Sequence, residues 1–474
     1  MKNSLHDTIA AIATPPGFGW IGIIRISGPR AVGIAEKVWE GSPSLSKVGS
    51  HQMIRGKIGE DDGLAVVMLA PNSYTGEDVV EFHGHGSPAL LQAILENLFK
   101  LGARPAAPGE FTERAFLNGK LDLAQAEAVS DLIHSETETA ARLAARQLSG
   151  ALSTVVQKLR NELKVMRAQL EARIDFPEDE DVQGLLYPEI KERLLDVQKR
   201  IQLLLSSFEE GRKFREGVRV ALCGRPNVGK SSLLNALLLN ERAIVHHEPG
   251  TTRDTLEETI NLNGIPVRLI DTAGIRRAGP VNGHPLELRS RRTVPRGRPV
   301  ATRSISSVEE EGIRRSFEQI QKADLILFLV DQSEKFLDED RSLYEQVAGK
   351  NPLVIFNKSD LPGKIDSSLQ PVLKISAKKR EGIEELKKII FEKIRGSSKL
   401  SSTELLLTNV RHKNCLEQSL AVLEKVAESV QKEMSLEFLA ADLLIASNHL
   451  AEITGEITHD EVLGEIFSKF CIGK

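Results

Sequence analysis

The sequence Gly-Arg-Pro-Asn-Val-Gly-Lys-Ser at residues 224–231 decides the fold of the middle of this chain. The apolar run before it, Val-Arg-Val-Ala-Leu-Cys at 218–223, predicts a strand, and the Leu-rich run at 232–237 predicts a helix. A strand–loop–helix context separates a phosphate-binding loop from a chance glycine-rich turn. Glycines let backbone N–H groups converge on phosphates, and the helix N-terminus adds positive partial charge. The sequence therefore predicts a nucleotide-binding α/β domain.

Side chains of the loop have separate predicted tasks. We expect Lys230 to reach the β- and γ-phosphates and the Ser231 hydroxyl to ligate Mg²⁺. The predicted nucleotide contacts of the loop are Asn227, Val228, Gly229, Lys230, Ser231 and Ser232.

Three later motifs identify the base as guanine. Asp-Thr-Ala-Gly at 271–274, Asn-Lys-Ser-Asp at 357–360 and Ser-Ala-Lys at 376–378 each follow a strand-like apolar run. A carboxylate at Asp360 can accept both the ring N–H and the exocyclic amine of guanine, a donor pair that adenine lacks. The nucleotide contacts predicted here are Asp271, Thr272, Ala273, Gly274, Asn357, Lys358, Asp360, Ser376, Ala377 and Lys378. All four motifs in this order predict a GTP-binding domain.

The motifs do not include the glutamine that orients the attacking water in many GTPases. Many GTPases orient the attacking water with a Gln directly after Asp-x-x-Gly, and this chain has Ile275 there. The Asn227 amide could help bind a monovalent cation that stabilises developing charge beside the phosphates. Alternatively, Asn227 shapes the loop, and the spacing leaves both interpretations open. Residues 251–254, Thr-Thr-Arg-Asp, are the predicted first switch.

Length and composition limit the class of protein. The 474 residues suffice for two to four domains, and the net charge of −4 excludes a generic polyanion binder. No stretch is apolar enough to span a bilayer and no secretory segment follows Met1, so we expect no membrane association. Cys223, Cys415 and Cys471 show no metal spacing, which indicates a reduced, cytoplasmic location.

Hydrophobic periodicity divides the chain into parts. Short strand-like runs separated by Gly and Pro predict a mixed α/β domain at 1–120. Apolar residues at steps of three and four predict helices at 121–213 and again at 397–474, flanking a GTP-binding domain at 214–396. We infer one discontinuous helical domain interrupted by the GTP-binding domain; two separate helical subdomains are the alternative.

Motifs outside the nucleotide domain are the most specific. They are Ala-Thr-Pro-Pro-Gly at 13–17, Tyr-Thr-Gly-Glu-Asp at 74–78, Gly-His-Gly at 84–86, Pro-Gly-Glu-Phe-Thr-Glu-Arg-Ala-Phe at 108–116, Lys-Leu-Asp-Leu-Ala-Gln-Ala-Glu at 120–127, Ile-Thr-Gly-Glu at 453–456 and Phe-Cys-Ile-Gly-Lys at 470–474. With the GTP motifs, they make nearly the whole chain resemble the MnmE (TrmE) family of tRNA-modification GTPases.

The resemblance implies a function. Members of this family are homodimers that pair with an FAD-dependent, MnmG-type flavoprotein in a heterotetramer or larger complex. They add a carboxymethylaminomethyl or aminomethyl group to C5 of the wobble uridine of tRNA. The carbon comes from 5,10-methylene- or 5-formyl-tetrahydrofolate, and FAD lies on the partner. The resemblance also implies a folate-binding, dimerising N-terminal α/β domain and an inserted Ras-like P-loop domain. The implied folate contacts are Arg25, Glu81, Lys120 and Lys474.

The resemblance also implies how GTP is hydrolysed. The family uses K⁺ in place of an arginine finger, with two GTP-binding domains face to face. The matching K⁺ positions are Asn227, His246, Glu248 and Thr251, of which His246 and Thr251 also match GTP contacts. Mg²⁺ would be held by Ser231 and Thr252. The water-orienting glutamate of a Val-Glu-x-x-Gly-Ile segment matches Glu309, with Glu310 and Glu311 adjacent.

Two features depart from the family pattern or extend it. A Pro- and Arg-rich insert at about 279–304 separates the second switch from Glu309; its composition favours a solvated basic loop, and a tRNA-backbone contact is the alternative. Cys471 would lie near the one-carbon unit if the folate site gathers the C-terminus, so we predict a reactive thiol there. A ribosome-assembly or signalling GTPase is the competing class, and folate binding by residues 1–120 would separate the two.

Overall fold

The computed structural model of the chain describes residues 7–176, 187–239, 257–271, 318–365, 369–396, 406–458 and 460–473. It forms two compact units. The first comprises Met1–His134, Arg142–Ser206 and Asn409–Lys474, and the second comprises Ser135–Ala141 and Ser207–Thr408. No helix in these described ranges is long and apolar enough to cross a membrane.

The elements are numbered in chain order. The strands are β1 (Ile9–Ile12), β2 (Gly19–Ser27), β3 (Trp39–Gly41), β4 (Gln52–Ile58), β5 (Asp61–Met68), β6 (Val79–Gly86), β7 (Arg104–Pro105), β8 (Val218–Cys223), β9 (Glu257–Leu262), β10 (Ile265–Asp271), β11 (Leu325–Asp331), β12 (Leu353–Asn357) and β13 (Leu373–Lys374). The α-helices are α1 (Ala31–Ala35), α2 (Pro88–Lys100), α3 (Glu110–Leu117), α4 (Leu123–Ile133), α5 (Glu138–Leu148), α6 (Ala151–Asp175), α7 (Tyr187–Ser206), α8 (Phe208–Glu216), α9 (Lys230–Leu238), α10 (Asp338–Val347), α11 (Ile383–Arg395), α12 (Val410–Gln431), α13 (Leu436–Thr454) and α14 (Asp460–Ser468).

The first unit contains a seven-stranded sheet in the order β3-β4-β5-β6-β2-β1-β7. Its pairs are antiparallel except β1 with β7. Alternate residues of β2 and β6, such as Ile24, Ile26, Val80 and Phe82, are buried in one core with residues of α1 and α2. Side chains alternate between the two faces of a strand, so Arg25 and Glu81 lie on the opposite face.

The helices of the first unit come from both sides of the second unit in sequence. Helix α13 packs along α6, and α12 packs against α7 and α13. The apolar stripe of α6 is buried at steps of three or four residues: Leu152, Val156, Leu159, Leu163, Met166 and Leu170. Arg411 Nε and His412 Nε2 on α12 lie 2.8 and 2.6 Å from the Glu127 carboxylate of α4. The predicted helical stripes are thus confirmed as helices that bury against one another.

The second unit contains a six-stranded sheet in the order β13-β12-β11-β8-β10-β9. Its pairs are parallel except β9 with β10. The central strands β8 and β11 are almost wholly buried, as expected for parallel strands covered on both faces. Carboxyl ends of parallel strands meet at one sheet edge, so the loop after β8, Asp271 at the end of β10 and the motifs after β12 and β13 are brought together there.

Candidate nucleotide-binding site

The phosphate-binding loop depends on two glycines. Gly224 has a φ of +145° and Gly229 a φ of +99°, which side-chain-bearing residues rarely adopt. A Cβ on Gly224 would lie 2.4 Å from the Leu329 carbonyl oxygen, and a Cβ on Gly229 would lie 2.2 Å from Nδ2 of Asn357. The loop therefore approaches neighbouring strands closely enough to exclude any other residue at these positions.

Lys230 lies over this loop at the start of α9. Its Nζ donates to the carbonyl oxygens of Gly224 (2.7 Å) and Arg225 (2.9 Å). Burial lowers the pKa of Lys230, although the charge of Asp271 opposes this shift. Two backbone carbonyl oxygens of the loop therefore hold the ammonium group in place.

Ser231, a predicted Mg²⁺ ligand, lies next to Asp271, a predicted nucleotide contact. The Ser231 hydroxyl donates to Oδ2 of Asp271 at 3.0 Å, across from the end of β10. The other carboxylate oxygen, Oδ1, is buried and has no hydrogen-bond partner among the described residues. A hydroxyl and a carboxylate are hard oxygen ligands of the type that Mg²⁺ prefers, so these residues fit that ion.

Asn357 links the phosphate loop to the loop expected to bind the base. Its Nδ2 donates to the Val228 carbonyl oxygen (2.8 Å), and its Oδ1 accepts from the Ala377 N–H (3.0 Å). Asn357 is almost completely buried. One side chain therefore fixes the distance between two parts of the site that lie far apart in sequence.

The expected base-reading carboxylate is also positioned. Oδ1 of Asp360 accepts a hydrogen bond from the Ser376 hydroxyl at 2.6 Å, and this bond lowers the pKa of Asp360. The carboxylate thus stays ionised, the form that can accept hydrogen bonds from a guanine edge. Lys358 has a φ of +64° and pairs with Asp331 at 2.5 Å, which directs its stem across the end of β11.

Arg225, inside the loop, has a role that the motif does not reveal. Its Nε donates to Asp340 Oδ1 at 2.7 Å, and its guanidinium lies 3.3 Å from Glu334. Asp340 is fully buried and also accepts from the Leu337 N–H at the start of α10. The loop is therefore anchored to α10 as well as to β12. A carboxylate at a helix start is the one sequence signal that could have suggested this anchor.

The remaining predicted nucleotide and ion contacts divide into two groups. Val228 and Ala377 are buried, whereas Ser232, Lys378 and Asn227 are exposed, the last with a φ of +65°. The following lie outside the described residues: His246, Glu248, Thr251, Thr252, Thr272, Ala273, Gly274, Glu309, Lys474 and the 279–304 insert.

In the first unit, Arg25 and Glu81 form a second cluster. They face each other across β2 and β6, and Arg25 Nε donates to Glu81 Oε1 at 2.7 Å. The Arg25 guanidinium lies 5.6 Å from the ring centres of both Tyr74 and Phe111. Burial raises the pKa of Glu81, but hydrogen bonding from His83 and the charge of Arg25 outweigh it and hold that pKa at about 2.

The C-terminal tail joins this cluster. Arg25 donates to the Gly473 carbonyl oxygen at 3.3 Å, so the tail reaches the Arg25–Glu81 pair at Gly473. Cys471 is exposed, and its Sγ lies 4.0 Å from Nε2 of His134. Lys120 is exposed and donates to the Pro71 carbonyl oxygen at 3.0 Å; the described contacts do not link it to Arg25.

Two known protein families match this chain. The family described as the MnmE helical domain matches residues 123–471, and the one described as the GTP-binding protein TrmE N-terminus matches residues 8–120. The chain belongs to the MnmE family. It is 42% identical to the tRNA modification GTPase MnmE of Natranaerobius thermophilus, over 99% of this chain and 100% of that protein. The proteins of the same name from Ligilactobacillus salivarius and Enterococcus faecalis are 40% and 39% identical, each over 99% of this chain and 98% of the relative.

One motif of the MnmE resemblance has a structural explanation. Arg114, from the Pro-Gly-Glu-Phe-Thr-Glu-Arg run, is 2% exposed and lies 2.6 Å from an Asp7 oxygen and 3.1 Å from Glu77. Glu110 pairs with both Arg104 and Arg114. The network joins two family motifs, 74–78 and 108–116, around one buried guanidinium. Sequence analysis missed this network because charged side chains are usually predicted to be exposed.

Proposed function

We propose that this protein hydrolyses GTP as part of the modification of wobble uridine in tRNA. The chain is a GTPase of the MnmE family. GTP binding is supported by the bridge that Asn357 makes between the 224–231 loop and the 376–378 loop, and the tRNA step is supported by the relatives named tRNA modification GTPase MnmE. In this proposal Lys230 neutralises the β- and γ-phosphates and Asp360 selects guanine. Bound Mg²⁺, held by Ser231 and Thr252 with the Asp271 carboxylate beside Ser231, would supply charge neutralisation at the phosphates.

We also propose that hydrolysis depends on K⁺. Asn227 supports this because its side chain is exposed in the loop and is not used as a structural anchor by any described hydrogen bond. The test is the GTPase rate in KCl against NaCl at equal ionic strength, for the wild type and for Asn227→Ala. We expect the wild type to be at least about tenfold faster in K⁺, since an arginine finger is worth more than this. Equal rates in both salts would contradict the proposal.

Folate binding is proposed at the Arg25–Glu81 cluster. A paired cation and carboxylate beside Tyr74 offer both charges that a pterin-glutamate needs, next to the tail that carries position 474. Isothermal titration with 5-formyl-tetrahydrofolate tests it. We expect Arg25→Ala to weaken binding by at least about tenfold (1.4 kcal/mol), whereas Arg55→Ala, an exposed arginine on β4, keeps wild-type affinity. Unchanged affinity in Arg25→Ala would reject the site.

The homodimer and the flavoprotein partner complete the proposal. Phe18, Trp20 and Ile21 are 94%, 96% and 63% exposed at the start of β2, an apolar patch that supports burial against a second copy. Light scattering of Trp20→Glu should report a monomer where the wild type reports a dimer. An MnmG-type flavoprotein from the same genome should co-sediment with the wild-type dimer.

The deciding experiment is nucleoside mass spectrometry of tRNA from a bacterium lacking its own MnmE. We expect the wild-type gene to restore the C5-aminomethyl-type wobble uridine, and Lys230→Ala to fail to restore it. A ribosome-assembly GTPase would restore nothing in this assay yet would bind ribosomal particles in its GTP state. Co-expression of the cognate flavoprotein separates a partner mismatch from absence of the activity.

A further inference from the structure

The hairpin of β9 and β10 lies between the two predicted switch segments in sequence. β9 begins three residues after the Thr-Thr-Arg-Asp segment, and β10 ends at Asp271. The strands are paired in register from Leu262 and Ile265 to Glu257 and Ile270. Asn263 and Gly264 both have positive φ, +51° and +93°, the tight two-residue turn that holds such a ribbon in register. A shift at the switch end of this ribbon therefore moves its turn.

This turn is held by residues 135–141, which belong to the second unit although they precede it by many residues in sequence. The Thr137 hydroxyl donates to the Gly264 carbonyl oxygen at 2.7 Å, and Thr137 is buried. A Cβ on Gly264 would lie 2.4 Å from Oγ1 of Thr139, so the turn and the segment are in close contact. Thr137 also caps α5, because its Oγ1 accepts from the Ala140 N–H at 3.1 Å.

A second contact reaches further along the hairpin. Glu136 Oε1 lies 3.3 Å from the Arg268 guanidinium on β10, and the Glu136 side chain is 8% exposed. Arg268 is three residues from Asp271, whose carboxylate contacts Ser231. The segment therefore binds both the turn of the hairpin and the strand that leads to the expected metal ligand.

On both sides the segment continues along the chain into the first unit. Helix α5 begins at Glu138 within the second unit and continues from Arg142 as part of the first. On the other side, His134 directly precedes Ser135, and its Nε2 lies 4.0 Å from Cys471 Sγ in the C-terminal tail. The hairpin turn is thus linked to His134 by the Thr137 hydrogen bond and a few residues of chain, and His134 Nε2 lies 4.0 Å from Cys471 Sγ of the tail.

We propose that residues 135–141 are a coupling latch: through Thr137 and Glu136 they carry the nucleotide-dependent position of the β9–β10 hairpin to His134 and the Cys471 tail. This inference rests on the proposed function, because it assigns the regulation of the same modification site. Thr137 and Glu136 act as positioning residues. Neither residue is among the predicted nucleotide or folate contacts.

The three cysteines make a direct test practical. Cys471 is exposed, whereas Cys223 and Cys415 are buried and burial raises the pKa of each thiol to about 11. Iodoacetamide, followed by peptide mass spectrometry, therefore reports Cys471 in the unmodified full-length protein. The alkylation rate is measured with GDP and with a non-hydrolysable GTP analogue. We expect a difference of at least about fivefold between the two states in the wild type, the lower end of typical coupling between sites.

The latch variants should abolish this difference without stopping hydrolysis. Thr137→Val keeps the shape and removes the hydroxyl, and Glu136→Gln removes the charge opposite Arg268. In both we expect the two nucleotide states to alkylate Cys471 at rates within about twofold, with GTP affinity and GTPase rate within about threefold of wild type. Thr154→Val, an exposed threonine on α6, is the matched control and should behave as wild type.

A charge swap distinguishes coupling from simple damage. Glu136→Arg alone should lose the nucleotide dependence, and the double variant with Arg268→Glu should recover it. The inference is overturned if wild-type Cys471 alkylates equally in both states, or if the latch variants keep the wild-type difference. These readouts need no tRNA. Absence of tRNA modification by the wild type would therefore reject the proposed function without altering the labelling result.

Discussion

Replacing Asn357 with alanine tests whether the nucleotide site depends on a single buried bridge. The substitution removes the donor to the Val228 carbonyl oxygen and the acceptor for the Ala377 N–H, at 2.8 and 3.0 Å. Val228 is 1% and Ala377 5% exposed, so neither group has ready access to water. Both loops lose the same fixed point at once.

The magnitude follows from the two groups left behind. A buried donor or acceptor without a partner costs about 1–3 kcal/mol, so the pair costs about 2–6 kcal/mol. Relaxation of the loops recovers part of this cost in the nucleotide-free protein, where water can enter. When the nucleotide binds, the loops must return to their bound positions, and the two buried groups again lack partners. This cost therefore appears as weaker nucleotide binding. We therefore expect the Kd for GDP to rise at least about 30-fold, equivalent to about 2 kcal/mol.

The assay is titration with a fluorescent GDP derivative, with thermal unfolding recorded on the same samples. Asn235→Ala, at an exposed position on α9 within the same unit, is the control and should bind with wild-type affinity. If Asn357→Ala unfolds as a wild-type protein and binds GDP within about threefold of the wild type, the bridge does not organise the site and the reasoning is wrong.

Three further predictions use other parts of the molecule. Asp360→Asn should weaken GTP by about 100-fold or more and favour xanthine nucleotides, because the amide donates where guanine also donates; nucleotide competition measures this, and unchanged GTP affinity would contradict it. Arg114→Met should lower the free energy of urea unfolding by about 3–5 kcal/mol, since buried carboxylates lose their partner, while Arg55→Met should lower it by less than about 0.5 kcal/mol. The pKa of Glu81 is about 2 in the folded chain, below its unfolded value of 4.5, so its carboxylate stabilises the fold above about pH 4.5 and progressively less as pH falls towards 2. The difference in unfolding free energy between wild type and Glu81→Gln should therefore shrink over that interval, and a constant difference would show that the charge is not responsible.

The parts of the structure that sequence predicted are those whose chemistry is local. The strands at 218–223, 267–270 and 353–356 are confirmed as parts of β8, β10 and β12, because each is an apolar run that ends at a motif. Parallel pairing then requires those motif ends to meet, which is why Ser231 and Asp271 could be expected to meet. The amphipathic stripes of α6 and α7 were predictable for the same reason, since a helix period is visible within one segment.

Pairings between distant segments were not predictable, because no local pattern encodes them. A carboxylate at the start of α10 is the only hint of the Arg225–Asp340 pair, and nothing near Thr137 indicates the Gly264 carbonyl. Periodicity assigns residues 135–141 to a helical region, whereas their contacts group them with the nucleotide-binding unit. A single boundary along the sequence cannot place a short segment of one unit between two segments of the other. The unit to which a segment is assigned depends on the residues that it contacts.

In the C-terminal motif, packing on both sides of Cys471 fixes the position of the chain. Gly473 has a φ of +98°, and a Cβ there would lie 2.3 Å from the Ile12 carbonyl oxygen, so the tail passes against β1 at a place that admits only glycine. Phe470 is buried with Phe467 and Leu123, which fixes the tail three positions earlier. Cys471 lies between these two anchors and is exposed, so its position is set by packing on both sides while its sulfur stays accessible. An exposed thiol held in this way is what a reporter of the latch, or a participant in chemistry beside Arg25, would require.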